Sequence, residues 1–156
     1  MIKHLVTPQH ASCQCGACSF ELAESTAVAR FICHCTICQQ FNNKPFADVT
    51  ILKAKNLQPA SEENVEFKKY KLPPNIKRGL CKRCGEPAIE IGGMGPVKIA
   101  FIPTDNFKNA SELPPPAIHM FYHRRVEDMI DELPKYEGYL SSEFAVMKLM
   151  YGVLKA

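Results

Sequence analysis

The placement of eight cysteines constrains this chain more than any other feature. They fall into three tight groups: Cys13, Cys15 and Cys18, then Cys33, Cys35 and Cys38, then Cys81 and Cys84. Such spacing is how metal ligands are arranged. The opening stretch MIKHLVTPQHAS lacks the apolar run of a secretory signal. The expected compartment is therefore the reducing cytoplasm, where disulfides do not persist and thiols remain available to a metal.

Zinc in a structural site takes four tetrahedral ligands, commonly all thiolates. Cys81-Lys82-Arg83-Cys84-Gly85 has the form of a zinc knuckle, and Cys13-Gln14-Cys15-Gly16 is a tighter pair with glycine again following. Two such pairs closing on one ion would staple two β-hairpins together, and a clamp of that kind supplies about 10–16 kcal/mol of apparent folding energy. Cys33-His34-Cys35-Thr36-Ile37-Cys38 is a second candidate. Three thiolates from one loop leave the fourth position open, which is the mark of a catalytic zinc site. The competing reading is a closed structural site completed by His119, His123 or Cys18. His34 stands between two of these cysteines, either as a base or donor near the open position or as a structurally bonded histidine. Cys18 reads as a small buried residue.

At 156 residues the chain fits one domain, and its 46% hydrophobic and 22% charged residues are ordinary for a globular protein. No apolar run is long enough to cross a membrane as a helix. A net charge of +3 is too small to imply nucleic acid and mildly favours an anionic small molecule. Alternation predicts strands at Ser19–Leu22, Ala27–Ile32, Phe46–Leu52, Val65–Leu72, Ala88–Ile91, Val97–Ile102 and Ile118–Tyr122. A slip in the Val65–Leu72 pattern suggests a bulge. Turns are expected at Gln39–Asn43, with room for one helical turn before it, at Pro73–Asn75 and at the Gly92–Pro96 loop, a break at Leu113–Pro116, and one helical turn at Met129–Leu133. From Ser141 a helix is expected, capped by Ser141 with Glu143 in its first turn. It is apolar nearly all round and must be covered, by its own domain or by a second copy of the chain.

Three quoted stretches carry a family resemblance: CQCGACSF, CHCTICQQ followed by PFADV, and RGLCKRCGEP. With the later IHMFYHRRV and DELPKYEGY they make residues 11–139 resemble the glutathione-dependent formaldehyde-activating family, which includes the centromere protein V type domain. The resemblance implies a mainly β fold, a zinc-stapled antiparallel β-tent with short helices, to which the C-terminal helix is added. It implies a structural zinc on Cys13, Cys15, Cys81 and Cys84 and a catalytic zinc on Cys33, Cys35 and Cys38, so about two zinc ions per chain. It also implies a carbon–sulfur lyase activity, the joining of formaldehyde to glutathione to give S-hydroxymethylglutathione. The sequence departs from the family pattern at Asn43, where glycine is usual, at Leu80, where phenylalanine is usual, and at His123-Arg124-Arg125.

The expected organisation is a zinc-binding domain over residues 1–140 and a helical extension over 141–156, which offers a homodimer surface. The expected partner is glutathione or another small thiol, with no nucleic acid and no membrane. Arg30, Lys44, Arg78, Arg124 and Arg125 are candidates for pairing with its carboxylates. Two other readings remain open: a non-enzymatic zinc-stapled binding module or glutathione carrier, and an enzyme of the methionine sulfoxide reductase B type. The last needs a reactive cysteine outside any metal site, for which only Cys18 is free.

Overall fold

A computed structural model of the chain describes residues 1–71 and 76–156. The turn expected at Pro73–Asn75 and the end of the strand expected to reach Leu72 lie outside the described residues. The elements run β1 Lys3–His4, β2 Gln9–Ser12, β3 Ser19–Leu22, β4 Ala27–Cys33, α1 Thr36–Asn42, β5 Ala47–Lys53, β6 Leu57–Ser61, β7 Val65–Lys69, β8 Lys77–Cys81, β9 Pro87–Met94, β10 Val97–Pro103, β11 His119–Met120 and α2 Tyr139–Lys155. The fold is mainly β, with two helices. The larger sheet has the order β1-β4-β5-β10-β9-β8-β7, and its neighbours are antiparallel except for β11, which pairs parallel to β4. The smaller sheet has the order β2-β3-β6.

The central strands are apolar on both faces because both faces are covered. Along β4, Val28 joins one core while Ala29 and Phe31 join the other; along β10, Ala100 and Ile102 oppose Ile99 and Phe101. The first core is closed by Ala11, Phe20 and Leu22 of the small sheet and by Phe107 and Leu113. The second is closed by Ala117, Ile118 and Met120 and by the inner face of α2, Ala145, Val146, Leu149 and Val153. Cys13, Cys18 and Cys81 belong to the first core, Cys33 and Cys38 to the second.

Several local expectations change. Residues expected to turn at Gln39–Asn43 extend a helix that begins at Thr36 and ends on Asn43, whose φ of 50° and ψ of 45° are left-handed. Asparagine tolerates that conformation, so the helix stop survives without the family's usual glycine. The Gly92–Pro96 loop tightens to a two-residue hairpin turn, since Met94 pairs with Val97. The Val65–Lys69 strand pairs β8 in regular register; the irregularity lies across β8, between Gly79 and Leu80. The strand expected over Ile118–Tyr122 is only His119–Met120, because Phe121 turns left-handed at φ 53° into a single helical turn. Met129–Leu133 is irregular rather than helical. α2 begins earlier, on Gly138, so Glu143 falls beyond its first turn, and Ser141 bonds back to Glu137 instead of capping.

Candidate metal centres

Two cysteine groups gather on the folded chain. Cys13, Cys15, Cys81 and Cys84 have their sulfurs within 4.8 Å of one another, and so do Cys33, Cys35 and Cys38. All eight cysteines are free thiols. Each group fits zinc by the chemistry of its donors, soft sulfurs converging at tetrahedral-site spacing.

The four-sulfur group joins the loop between β2 and β3 to the loop between β8 and β9. Gly16 and Gly85, at φ 80° and 76°, make the left-handed turns that follow each cysteine pair. Those turns aim backbone N–H groups at sulfur: Cys18 N donates to Cys13 Sγ at 3.3 Å, and Arg83 N and Cys84 N donate to Cys81 Sγ at 3.3 and 3.5 Å. Burial opposes ionisation of Cys81, yet the Cys84 and Arg83 amides hold its thiol down to about 6. Cys18 sits fully buried beside this group; desolvation drives its thiol strongly upward, so it is an inert core residue by its environment.

The three-sulfur group is assembled over six residues. Cys33 ends β4, Cys35 caps α1, and Cys38 lies in the first turn of that helix. Cys38 N donates to Cys35 Sγ at 3.3 Å. Hydrogen bonds from the Cys33 and Cys38 thiols, helped by that amide, hold Cys35 down to about 3. Its neighbours are driven well up, Cys33 first by its hydrogen bond with Cys35 and Cys38 first by its bond with Cys33.

Charged residues surround this group. Arg78 and Glu90 form a buried ion pair, Nε to Oε2 at 2.9 Å, with the guanidinium 5.8 Å from the Tyr70 ring. Arg78 favours the Cys35 thiolate. Desolvation pushes the Glu90 carboxyl up to about 7, only partly countered by Arg78. Burial, and then the Cys35 thiolate, also raise Glu143 on α2. Glu90 escaped the sequence reading; a carboxylate in the apolar run Ala88–Ile91 was the available signal.

The groups offered as a fourth ligand are committed elsewhere. His119 bonds through Nδ1 to His34 Nε2 and through Nε2 to Asp131 Oδ2, both at 2.9 Å. His123 Nδ1 accepts from Gly138 N at 2.8 Å. His34 itself is only 1% exposed, packed between Phe46, His119 and Tyr122. Burial, aided by the charge of Arg125, lowers it to about 4. Most of the candidate cations are also engaged. Arg30 makes a two-pronged pair with Asp48 at 2.7 and 2.6 Å, Lys44 pairs with Asp105 at 2.7 Å, and Arg125 pairs with Asp128 and covers Tyr122. Arg124 is exposed and has no ion pair among the described residues. The shallow grooves beside α1, bordered by Lys44, Pro45 and Phe46 or by Thr36, Gln39 and Val126, are lined by none of the cysteines.

A family model described as glutathione-dependent formaldehyde-activating enzyme matches residues 8–124. No curated protein matches the chain significantly. A crystal structure of a Rhodobacter sphaeroides protein aligns with 81% of this chain and 99% of its own length at a TM-score of 0.52 and 14% identity, a likeness of fold. The family match spans both cysteine groups and the strands that carry them, and the chain belongs to the glutathione-dependent formaldehyde-activating enzyme family.

Proposed function

We propose that the chain is a zinc-dependent enzyme of the carbon–sulfur lyase type. It joins glutathione to formaldehyde as S-hydroxymethylglutathione, or handles a related thiol adduct. The reaction forms a sulfur–carbon bond, and the carbonyl oxygen takes up the proton the thiol gives away. The observation that supports this reading is the contrast between the groups, four sulfurs in one and three in the other. In this reading Cys13, Cys15, Cys81 and Cys84 hold a structural zinc and Cys33, Cys35 and Cys38 a catalytic one. A zinc with an open position supplies an electrophile that keeps a substrate thiol deprotonated at neutral pH.

The chain's own contribution is electrostatic and steric. Arg78 places a positive charge beside the three sulfurs and moderates the negative charge that a further thiolate would add. Glu90 holds Arg78 in place. The buried backs of Cys33 and Cys38 leave the partly exposed Cys35 as the approach side. Arg124 is the candidate cation left available for a substrate carboxylate. We assign residues 1–140 as the zinc-binding domain and 141–156 as a helical extension, with the protein working in the cytoplasm. Among the described residues no helix is long and apolar enough to cross a membrane. The outward face of α2 supports a homodimer, because Leu140, Phe144, Met147 and Tyr151 form an exposed apolar stripe at helical spacing.

Titration calorimetry with glutathione and S-methylglutathione tests the site, together with exchange spectroscopy of glutathione and labelled formaldehyde. We expect glutathione to bind, the methylated form to bind weakly, and adduct formation to exceed the spontaneous rate. Binding without acceleration would make the protein a glutathione carrier. Equal binding of both forms, or none, would overturn the thiolate reading.

A further inference from the structure

His34 occupies the position between two sulfurs of the three-sulfur group, yet its side chain leads away from them into a buried chain of hydrogen bonds. His34 Nε2 lies 2.9 Å from His119 Nδ1, and His119 Nε2 lies 2.9 Å from Asp131 Oδ2. Both rings are essentially inaccessible, at 1% and 0% exposure. Tyr122 packs edge-on against both, at 5.2 and 5.7 Å between ring centres. The chain has a direction. Lys135 Nζ and Leu133 N donate to Asp131 Oδ1 at 2.7 and 3.1 Å and, together with His119, hold that carboxylate well below the ordinary range, so Asp131 only accepts. A neutral His119 then carries its proton on Nε2, toward Asp131, which leaves Nδ1 to accept from His34 Nε2–H. His34 is thereby left with a bare Nδ1, and that atom is buried with no partner among the described residues.

The rest of His34 is fixed as well. Its N–H donates to Met120 O at 3.0 Å, and its carbonyl accepts from Gln39 Nε2 at 2.7 Å. His119 is anchored through Pro134 O and Tyr136 N, at 2.8 and 2.9 Å, to the segment that carries Asp131. Backbone and ring together leave the residue linking Cys33 to Cys35 no freedom to rotate.

We propose that Asp131, His119 and His34 form a directional strut that positions Cys33 and Cys35 for metal, making Asp131 and His119 positioning residues of the three-sulfur site. Asp131 lies beyond the segment matched by the family model. The inference rests on reading that group as a metal site, but not on the identity of the substrate. Groups outside the ligand shell that lock geometry typically change metal affinity by about 10–100-fold when removed.

The test is Asp131→Ala, at a residue partly open to solvent and so expected to fold, with Lys135→Ala as a control. Lys135→Ala removes the other side-chain partner of Asp131 but leaves the Leu133 N–H and the bond to His119. Zinc is stripped from each protein by a chromophoric chelator, and ring nitrogens are assigned by long-range proton–nitrogen correlation spectra. We expect Asp131→Ala to loosen one of the two zinc ions about 10-fold or more and to move the proton pattern of His119 and His34. The other zinc should be unaffected, and Lys135→Ala should do neither. Both ions held as in the unaltered protein, with an unchanged nitrogen pattern, would overturn the proposal. Loosening of both ions together with a collapse of the melting temperature would overturn it too, since the effect would then be global. If the unaltered protein binds only one zinc, the metal-site reading fails instead, and the nitrogen pattern still decides whether the directional chain exists.

Discussion

Cys15 Sγ and Cys81 Sγ lie 3.7 Å apart although 66 positions separate them in the chain. A metal held by these two and by Cys13 and Cys84 would tie the small sheet to the far side of the large one. The three-sulfur group, confined to residues 33–38, closes almost no chain. This difference in contact range decides what each group does for folding.

Cys81→Ser should therefore unfold or aggregate the protein, because metal binding and folding are coupled there. Cys38→Ser should keep its circular dichroism and a cooperative melt, lose about one of two bound zinc ions, and lose thiol binding. Melting curves and metal analysis on the two variants check this. Equal collapse of both would make the second group structural and give the binding-module reading the lead.

Proton release offers a separate check on the three-sulfur group. Cys35 is held down to about 3 while Cys33 and Cys38 are driven well above the ordinary thiol range. Three thiolate ligands then require about two protons to leave as zinc enters. Calorimetric zinc titration in buffers of different ionisation enthalpy should report that number as the difference between the unaltered protein and Cys38→Ser. A difference near zero would show that the group is not filled as three thiolates.

Glu90 and His34 should give opposite dependences of stability on pH. The Glu90 carboxyl is raised from 4.5 to about 7, so its contribution is present below pH 4.5 and lost as pH rises through 7. His34 is lowered from 6.5 to about 4, so its contribution is present above pH 6.5 and lost as pH falls through 4. Measured relative to the unaltered protein, the stability of Glu90→Gln should rise between pH 4.5 and 7, and that of His34→Gln should fall between pH 4 and 6.5. Each change should be on the order of 3 kcal/mol. Denaturant melts across that range decide it; parallel profiles would contradict the assignment of both groups.

The two cysteine groups were legible because cysteine spacing is local. The central strands were legible too, since Ala27–Ile32 and Val97–Ile102 are apolar enough to announce themselves. Edge elements were not: β1, β2 and β6 are short, half polar and defined by their partners. Nor was the Arg78–Glu90 pair legible, because pairing across β8 and β9 depends on a register that no local pattern reveals. The end of β11 fails for another reason. Phe121 adopts left-handed backbone that its residue type disfavours, held there by Ser142 Oγ, which accepts its N–H at 2.7 Å from α2.

The outward stripe of α2 gives the last prediction. Ala145, Val146, Leu149 and Val153 bury the inner face in the second core, so removing the helix would damage the fold along with any interface. Substitution on the outer face separates the two. Phe144 and Met147 are 74% and 57% exposed on the isolated chain, so lysine at both positions costs little packing. If the stripe covers a second copy, Phe144→Lys with Met147→Lys should halve the mass seen in light scattering, because each charge would be buried without a partner in the dimer. The melting temperature at high dilution should stay near that of the unaltered protein. An unaltered protein that is already monomeric at high concentration, or a doubly substituted one that remains dimeric, would rule out this face as the interface.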